Sequence, residues 1–138
     1  MTVWRITGGE GASGAGERTA PRYDIVEHDT ALLHIAAASA SPWLRMSGEI
    51  DVSTAPGVVS ALHAARDRVP GDVHVDLAAL SFMDVAGLRA FSGAARDLHE
   101  HGRLLVLHTV SPHIDRLFRL IGWHTTPGLT IHCRPNGH

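Results

Sequence analysis

The order of strand and helix patterns along the chain predicts an α/β fold: a mixed central β-sheet of about four to five strands with helices packed on it. Three observations lead there. Apolar stretches with strand patterning alternate with amphipathic helical stretches from Ala31 onward. Capping and breaking residues punctuate each helix. One uninterrupted apolar run, Leu104-Leu105-Val106-Leu107, reads as a strand covered on both faces. At 138 residues and 44% hydrophobic, the chain has the size and apolar content of one domain with a real core.

The elements follow in order. Residues Thr7 to Pro21 are rich in Gly, Ala, Ser and Glu and offer little to bury, so residues 1–30 are expected to form a flexible leader whose end can be ordered. Its glycines lack the preceding strand and following helix of a phosphate-cradling loop. Ala31–Ala36 reads as a first strand and Trp43–Ile50 as a second, with Leu44 and Met46 inward and Gly48 marking a bulge. The two are close enough to pair antiparallel. Ser53 or Thr54 is positioned to cap a helix with Pro56 in its first turn and with Val58, Val59, Leu62 and Ala65 or Val69 as its apolar stripe; Pro70-Gly71 ends it.

Val73–Leu77 is a short strand. After Leu80-Ser81-Phe82-Met83 and a turn at Asp84, a second helix buries Leu88, Phe91, Ala95 and Leu98 and closes before Gly102. The apolar run from Leu104 follows. The third helix is expected to be capped by Ser111, to carry Pro112 in its first turn, to bury Ile114, Leu117, Phe118 and Ile121, and to stop at Gly122. Gly128–Ile131 supplies a last strand. The domain is therefore expected over residues 31–132, with residues 133–138 as a frayed tail.

Several functions are disfavoured by composition. A formal charge of −2 argues against a nucleic-acid binder relying on phosphate neutralisation. No run of about 18 apolar residues is present, so no membrane span is expected, and with no secretory signal pattern the cytoplasm is the default location. Cys133 is the single cysteine. Among the 11 histidines the only local cluster is His124, His132, Cys133 and His138, without zinc-motif spacing, so no metal or other cofactor is expected. His132 and Cys133 point to opposite faces of a strand, and His74 and Asp76 share a face without a nucleophile nearby, so the chain is not expected to be an enzyme.

Taken together, Ser47-Gly48-Glu49-Ile50-Asp51, Val75-Asp76-Leu77, Phe82-Met83-Asp84, Gly87-Leu88, and Arg103-Leu104 leading to Ser111-Pro112 resemble the STAS family, the anti-sigma-factor antagonists. The similarity extends over Ala31 to Ile131, and Leu120–Trp123 with Thr126–Leu129 looks like actinobacterial members. The resemblance implies a STAS fold and a regulator of transcription that works by docking. Its partner would be an anti-sigma factor, in some systems one with a kinase-like ATP-binding fold, and docking would free the sigma factor. A homodimer is left open. In the family the loop usually reads Asp-Ser-Ser-Gly-Leu, and phosphorylation of the second serine ends docking. Here those serine positions are Val85 and Ala86, so the acceptor position has no hydroxyl.

Carried onto this chain, the docking surface would join Asp51, Ser53 and Thr54 to Asp84, Val85, Ala86, Gly87 and Leu88, and continue onto Arg89 and Ser92 of the second helix. Asp84 would cap the amides of Ala86 and Gly87; Gly87 would allow close approach of a partner backbone. Ser53 and Thr54 are the alternative hydroxyls for a displaced phosphoswitch; Ser81 is expected near a buried strand end and is a poor one. The other non-enzymatic reading is a STAS scaffold or dimerisation module serving a sensor or transporter system.

Overall fold

In a computed structural model that describes residues 20–135, the elements are β1 (Ile25–Asp29), β2 (Leu33–Ala37), β3 (Trp43–Ile50), α1 (Ala55–Arg68), β4 (Val73–Asp76), β5 (Leu80–Met83), α2 (Val85–His99), β6 (Leu105–Val110), α3 (Pro112–Ile121) and β7 (Leu129–Cys133). A single 3₁₀ turn, Trp123–Thr125, joins α3 to β7. Most of the expected leader and the end of the expected tail lie outside the described residues.

The sheet is mixed and has seven strands in the order β1-β2-β3-β4-β6-β7, with β5 paired to β3 off that path. The β1–β2 and β2–β3 pairs are antiparallel; β3–β4, β3–β5, β4–β6 and β6–β7 are parallel. Two of these strands exceed the expected four to five. One is β1, within the segment expected as leader, where Ile25–Asp29 pairs with β2 through a register shift. The other is β5, short because α2 begins at once after it.

Leu33, Ile35, Leu44, Met46, Val75, Leu105 and Leu107 project inward, as the period of two requires, and meet Val58, Leu62, Leu88, Phe91, Leu98, Ile114 and Phe118 from the helices. Three details of the expected stripes differ. Val59 is 36% exposed and Ala61 takes its place in the core, because the buried side of α1 is set by contact with α2 as well as with the sheet. Ile121 is 38% exposed, since α3 ends there and turns away. In the β6 run only Leu105 and Leu107 face the helices, and Leu104, before the strand, is 39% exposed.

Strand β3 changes partner along its length: Trp43–Arg45 pairs with β4, and Gly48–Ile50 with β5. The transition falls at Gly48, whose φ is +111° and where the register shifts. The consequence is positional. Ile50 and Met83 end side by side, and the Asp84 amide donates to the Ile50 carbonyl at 3.1 Å. The loops leading into α1 and α2 therefore leave the sheet at one edge.

Helix α1 is finished from outside. The Arg103 guanidinium donates to the carbonyls of Arg66 at 3.1 Å, Val69 at 2.6 Å and Gly71 at 2.7 Å, satisfying acceptors that a helix end leaves open. Arg103→Ala is expected to lower stability by about 1–3 kcal/mol, read as a lower urea midpoint at unchanged m-value.

Candidate functional site

Two aspartates, one in the turn before α1 and one capping α2, organise the shared edge. At the first, the Asp51 carboxylate accepts from the Ser53 amide at 2.9 Å, the Ser53 hydroxyl at 2.6 Å and the Thr54 amide at 3.2 Å. The Ser53 hydroxyl above all, with the amides of Ser53 and Thr54, holds the Asp51 carboxyl below the usual carboxylate range against some desolvation. Asp51 thus closes the turn that leads into α1, while Thr54, at the N-cap position, makes no side-chain cap bond, so neither Ser53 nor Thr54 caps the helix as expected. The Thr54 hydroxyl is turned inward, donating to the Glu49 carbonyl at 3.1 Å and accepting from the Asp51 amide at 2.9 Å. Thr54 is 4% exposed.

At the second, Asp84 has extended backbone geometry, and its carboxylate accepts from the Ala86 amide at 2.9 Å. It does not reach the Gly87 amide, which donates to the Asp84 carbonyl at 3.1 Å. Gly87 itself is buried. A Cβ there would lie 2.5 Å from Met83 Cγ and 2.8 Å from Ile50 Cγ2, so glycine lets α2 start directly over the ends of β3 and β5. This corrects the expectation that Gly87 admits a partner's backbone: the close approach is internal.

The expected docking residues divide by exposure. Ser53, Val85 and Arg89 are exposed; Asp51, Asp84 and Ala86 are half-buried. Thr54, Gly87, Leu88 and Ser92 are buried and contribute no contact surface. Ser92, expected on the outer face of α2, is turned in, its hydroxyl 3.4 Å from that of Thr126. Ser81 reverses the other way. It is exposed on β5 and donates to the Gly48 carbonyl at 3.0 Å.

Residues not anticipated from the sequence complete the surface. Beside the two aspartates runs a groove of about 480 Å³ between α1 and α2. Val52, Pro56 and Val59 form one wall, and Ala86, Ala90 and Gly93 the other. Val52 is 76% exposed and Val85, at the start of α2, 45%. Its polar lining comes from His63 and Arg89. The sequence signal was present as Ala86, Ala90, Gly93 and Ala94, small residues at helical spacing opposite the buried stripe of α2. Deeper along the pair, Arg66 is salt-bridged to Asp97 and ties α1 to α2. Among the described residues no three His, Cys, Asp or Glu side chains converge to hold a metal ion, and no helix is long and apolar enough to cross a membrane.

Comparison with known proteins agrees with this fold. The family model described as "Mlab, STAS domain" matches residues 33–131. The anti-sigma-B factor antagonist of Staphylococcus epidermidis is 38% identical over 79 residues, 57% of this chain and 73% of that protein. Its counterpart from Staphylococcus aureus strain NCTC 8325 is 34% identical over the same extent. Among solved structures, an anti-sigma factor antagonist from Mycobacterium paratuberculosis superposes with a TM-score of 0.56 at 24% identity, covering 77% of this chain and 82% of that one. SpoIIAA, an anti-sigma factor antagonist solved in its unphosphorylated form, gives 0.50 at 22% identity, covering 64% and 76%. At these identities the structures speak to the fold, and the family match and curated relatives to descent: the chain belongs to the STAS domain family and, within it, to the anti-sigma factor antagonists.

Proposed function

We propose that this protein frees a sigma factor by docking that factor's inhibitor on the edge formed by the Asp51 and Asp84 loops and the adjoining α1–α2 groove. One observation carries the reading: an apolar groove opens directly beside the two loops, where Val52 and Val85 stand exposed. Apolar surface of this kind, with a cation at Arg89, suits an aliphatic side chain flanked by a carboxylate on the partner. The protein acts by binding in the cytoplasm, and an anti-sigma factor with a kinase-like ATP-binding fold is the expected partner type. Affinity purification from native cells tests it. Recovery of an anti-sigma factor with the wild type supports the reading. Recovery of a sensor or transporter component instead would favour a scaffold role.

Regulation differs from the family pattern. The second helical residue of α2, Ala86, stands at the acceptor position, and Val85 before it is also without a hydroxyl. Docking is therefore proposed to be insensitive to phosphorylation at this loop. Of the alternative hydroxyls, Thr54 is buried and fully engaged, which leaves exposed Ser53, already held by Asp51, and exposed Ser81, held by the Gly48 carbonyl. With the cognate kinase and ATP, the wild type is expected to take up no phosphate, and Ala86→Ser to become a substrate whose docking weakens on modification, since a phosphate adds about −1.5 to −2 charges next to Asp84. Stoichiometric phosphate on Ser53 of the wild type would show that the switch has moved.

A further inference from the structure

The sheet face turned away from the core carries a group of rings that docking does not use. Trp43 of β3, His74 of β4 and His108 of β6 alternate with inward Leu44, Val75 and Leu107. The Trp43 and His74 rings stack with centroids 5.0 Å apart; His108 lies 4.4 Å from Trp43 and 5.1 Å from His74. His132 of β7 meets His108 edge-on at 5.2 Å. Within the stack, His74 Nδ1 and His108 Nε2 are 2.9 Å apart. At that separation one nitrogen donates and the other accepts; two facing lone pairs, or two facing N–H groups, repel.

We propose that the His74–His108 pair beneath Trp43 is a proton-operated latch, which tolerates one added proton and opens on the second. The proton count follows from the two rings. In the neutral pair one ring donates an N–H to the other's bare nitrogen. A first proton from solvent binds the donor ring's remote nitrogen; the contact survives as a stronger, charge-assisted bond. The only basic site left is then the acceptor nitrogen itself. A second proton there sets two N–H groups and two positive charges against each other, and the rings must part. An uncharged aromatic plate becomes a dicationic, opened face, uncovering Val106, which is 6% exposed in the closed state.

The surroundings set the range. Desolvation holds both histidines below the ordinary value of 6.5, and on His108 the charges of His74 and His132 act the same way. Asp72 pulls His74 back up, and Asp76 does the same for His108. Arg45, paired across the strands with Asp76, lies under the Tyr23 ring at 4.5 Å; beyond β7 the Arg134 guanidinium donates to the Ala78 carbonyl. Because the second protonation is depressed in the folded state, the stability contributed by the closed pair is complete above the unfolded value and is lost as pH falls through that lower folded step.

Imidazole NMR of the wild type and of His74→Gln, titrated from about pH 8 to pH 4.5, tests the latch. In the wild type, His74 and His108 are expected to titrate as a coupled pair in two separated steps, the lower of them below the ordinary histidine value, with the Trp43 indole signal moving in that lower step. In His74→Gln, His108 is expected to titrate in one step, raised from the lower step because the facing charge is gone, and the Trp43 response to vanish; His108→Gln gives the same comparison from the other side. Independent titrations in the wild type, unchanged by either substitution, or a Trp43 signal that moves with the first proton, would overturn the proposal.

Discussion

Gly93→Arg is expected to weaken docking of the anti-sigma factor by about tenfold or more, equivalent to at least ~1.4 kcal/mol, while the fold stays intact. Gly93 lies on the exposed side of α2 in the groove wall, and a Cβ built there meets nothing within 4 Å. A long charged side chain at this point occupies the apolar groove and adds a cation one turn beyond Arg89. The backbone gains rather than loses, because a helical glycine replaced by a better helix former adds about 0.5–1 kcal/mol. Gly93→Ala, which leaves the groove open, is the matched control. Titration calorimetry against the purified partner, with thermal melts of all forms, checks both halves. Undiminished affinity in a well-folded Gly93→Arg protein would remove the groove from the docking surface. Asp84→Lys and Gly87→Arg are poorer probes, since the first removes a helix cap and the second drives a side chain into Met83 and Ile50.

Gly48→Ala is expected to cost about 3 kcal/mol or more, large against the 5–15 kcal/mol typical of a small domain. Two penalties coincide. The φ of +111° is one that L-residues rarely adopt, and a Cβ there would lie 2.1 Å from the Leu32 carbonyl oxygen. Relief would require β2 to separate from β3, or the hand-over from β4 to β5 to straighten, and either would misalign the Asp51 and Asp84 loops. Urea unfolding should show a strongly lowered midpoint, with partner affinity reduced even where the variant is folded. A midpoint within about 0.5 kcal/mol of wild type would mean that Gly48 is not the hinge described.

Much of this architecture was readable along the chain, for local reasons. Ser111 caps α3, its hydroxyl accepting from the Ile114 amide at 3.3 Å, and Gly122 ends it at a φ of +86°; such signals are complete within four or five residues. The inward sides of β3 and α2 were legible because their periods are long enough to show. The strand β1 was not, since Ile25–Asp29 has mixed burial and owes its place to pairing with β2. Nor was β5 as a separate strand: Leu80 and Met83 are buried but Ser81 and Phe82 between them are exposed, so no alternation appears.

By itself, the sequence determined the α/β class, the caps and breaks, the family resemblance over Ala31 to Ile131, and the loss of the loop hydroxyl at Val85 and Ala86. These depend on residue type and short spacing, which are properties of the chain. Only the tertiary structure decided that Thr54, Gly87 and Ser92 are buried, that Asp51 ties the turn before α1 while Thr54 makes no side-chain cap bond, and that Val52 and Val59 face Gly93 across a groove. It alone brought His74 within 2.9 Å of His108, 34 residues away. Such juxtapositions come from how two helices and neighbouring strands are set against one another, and no local pattern encodes that relation.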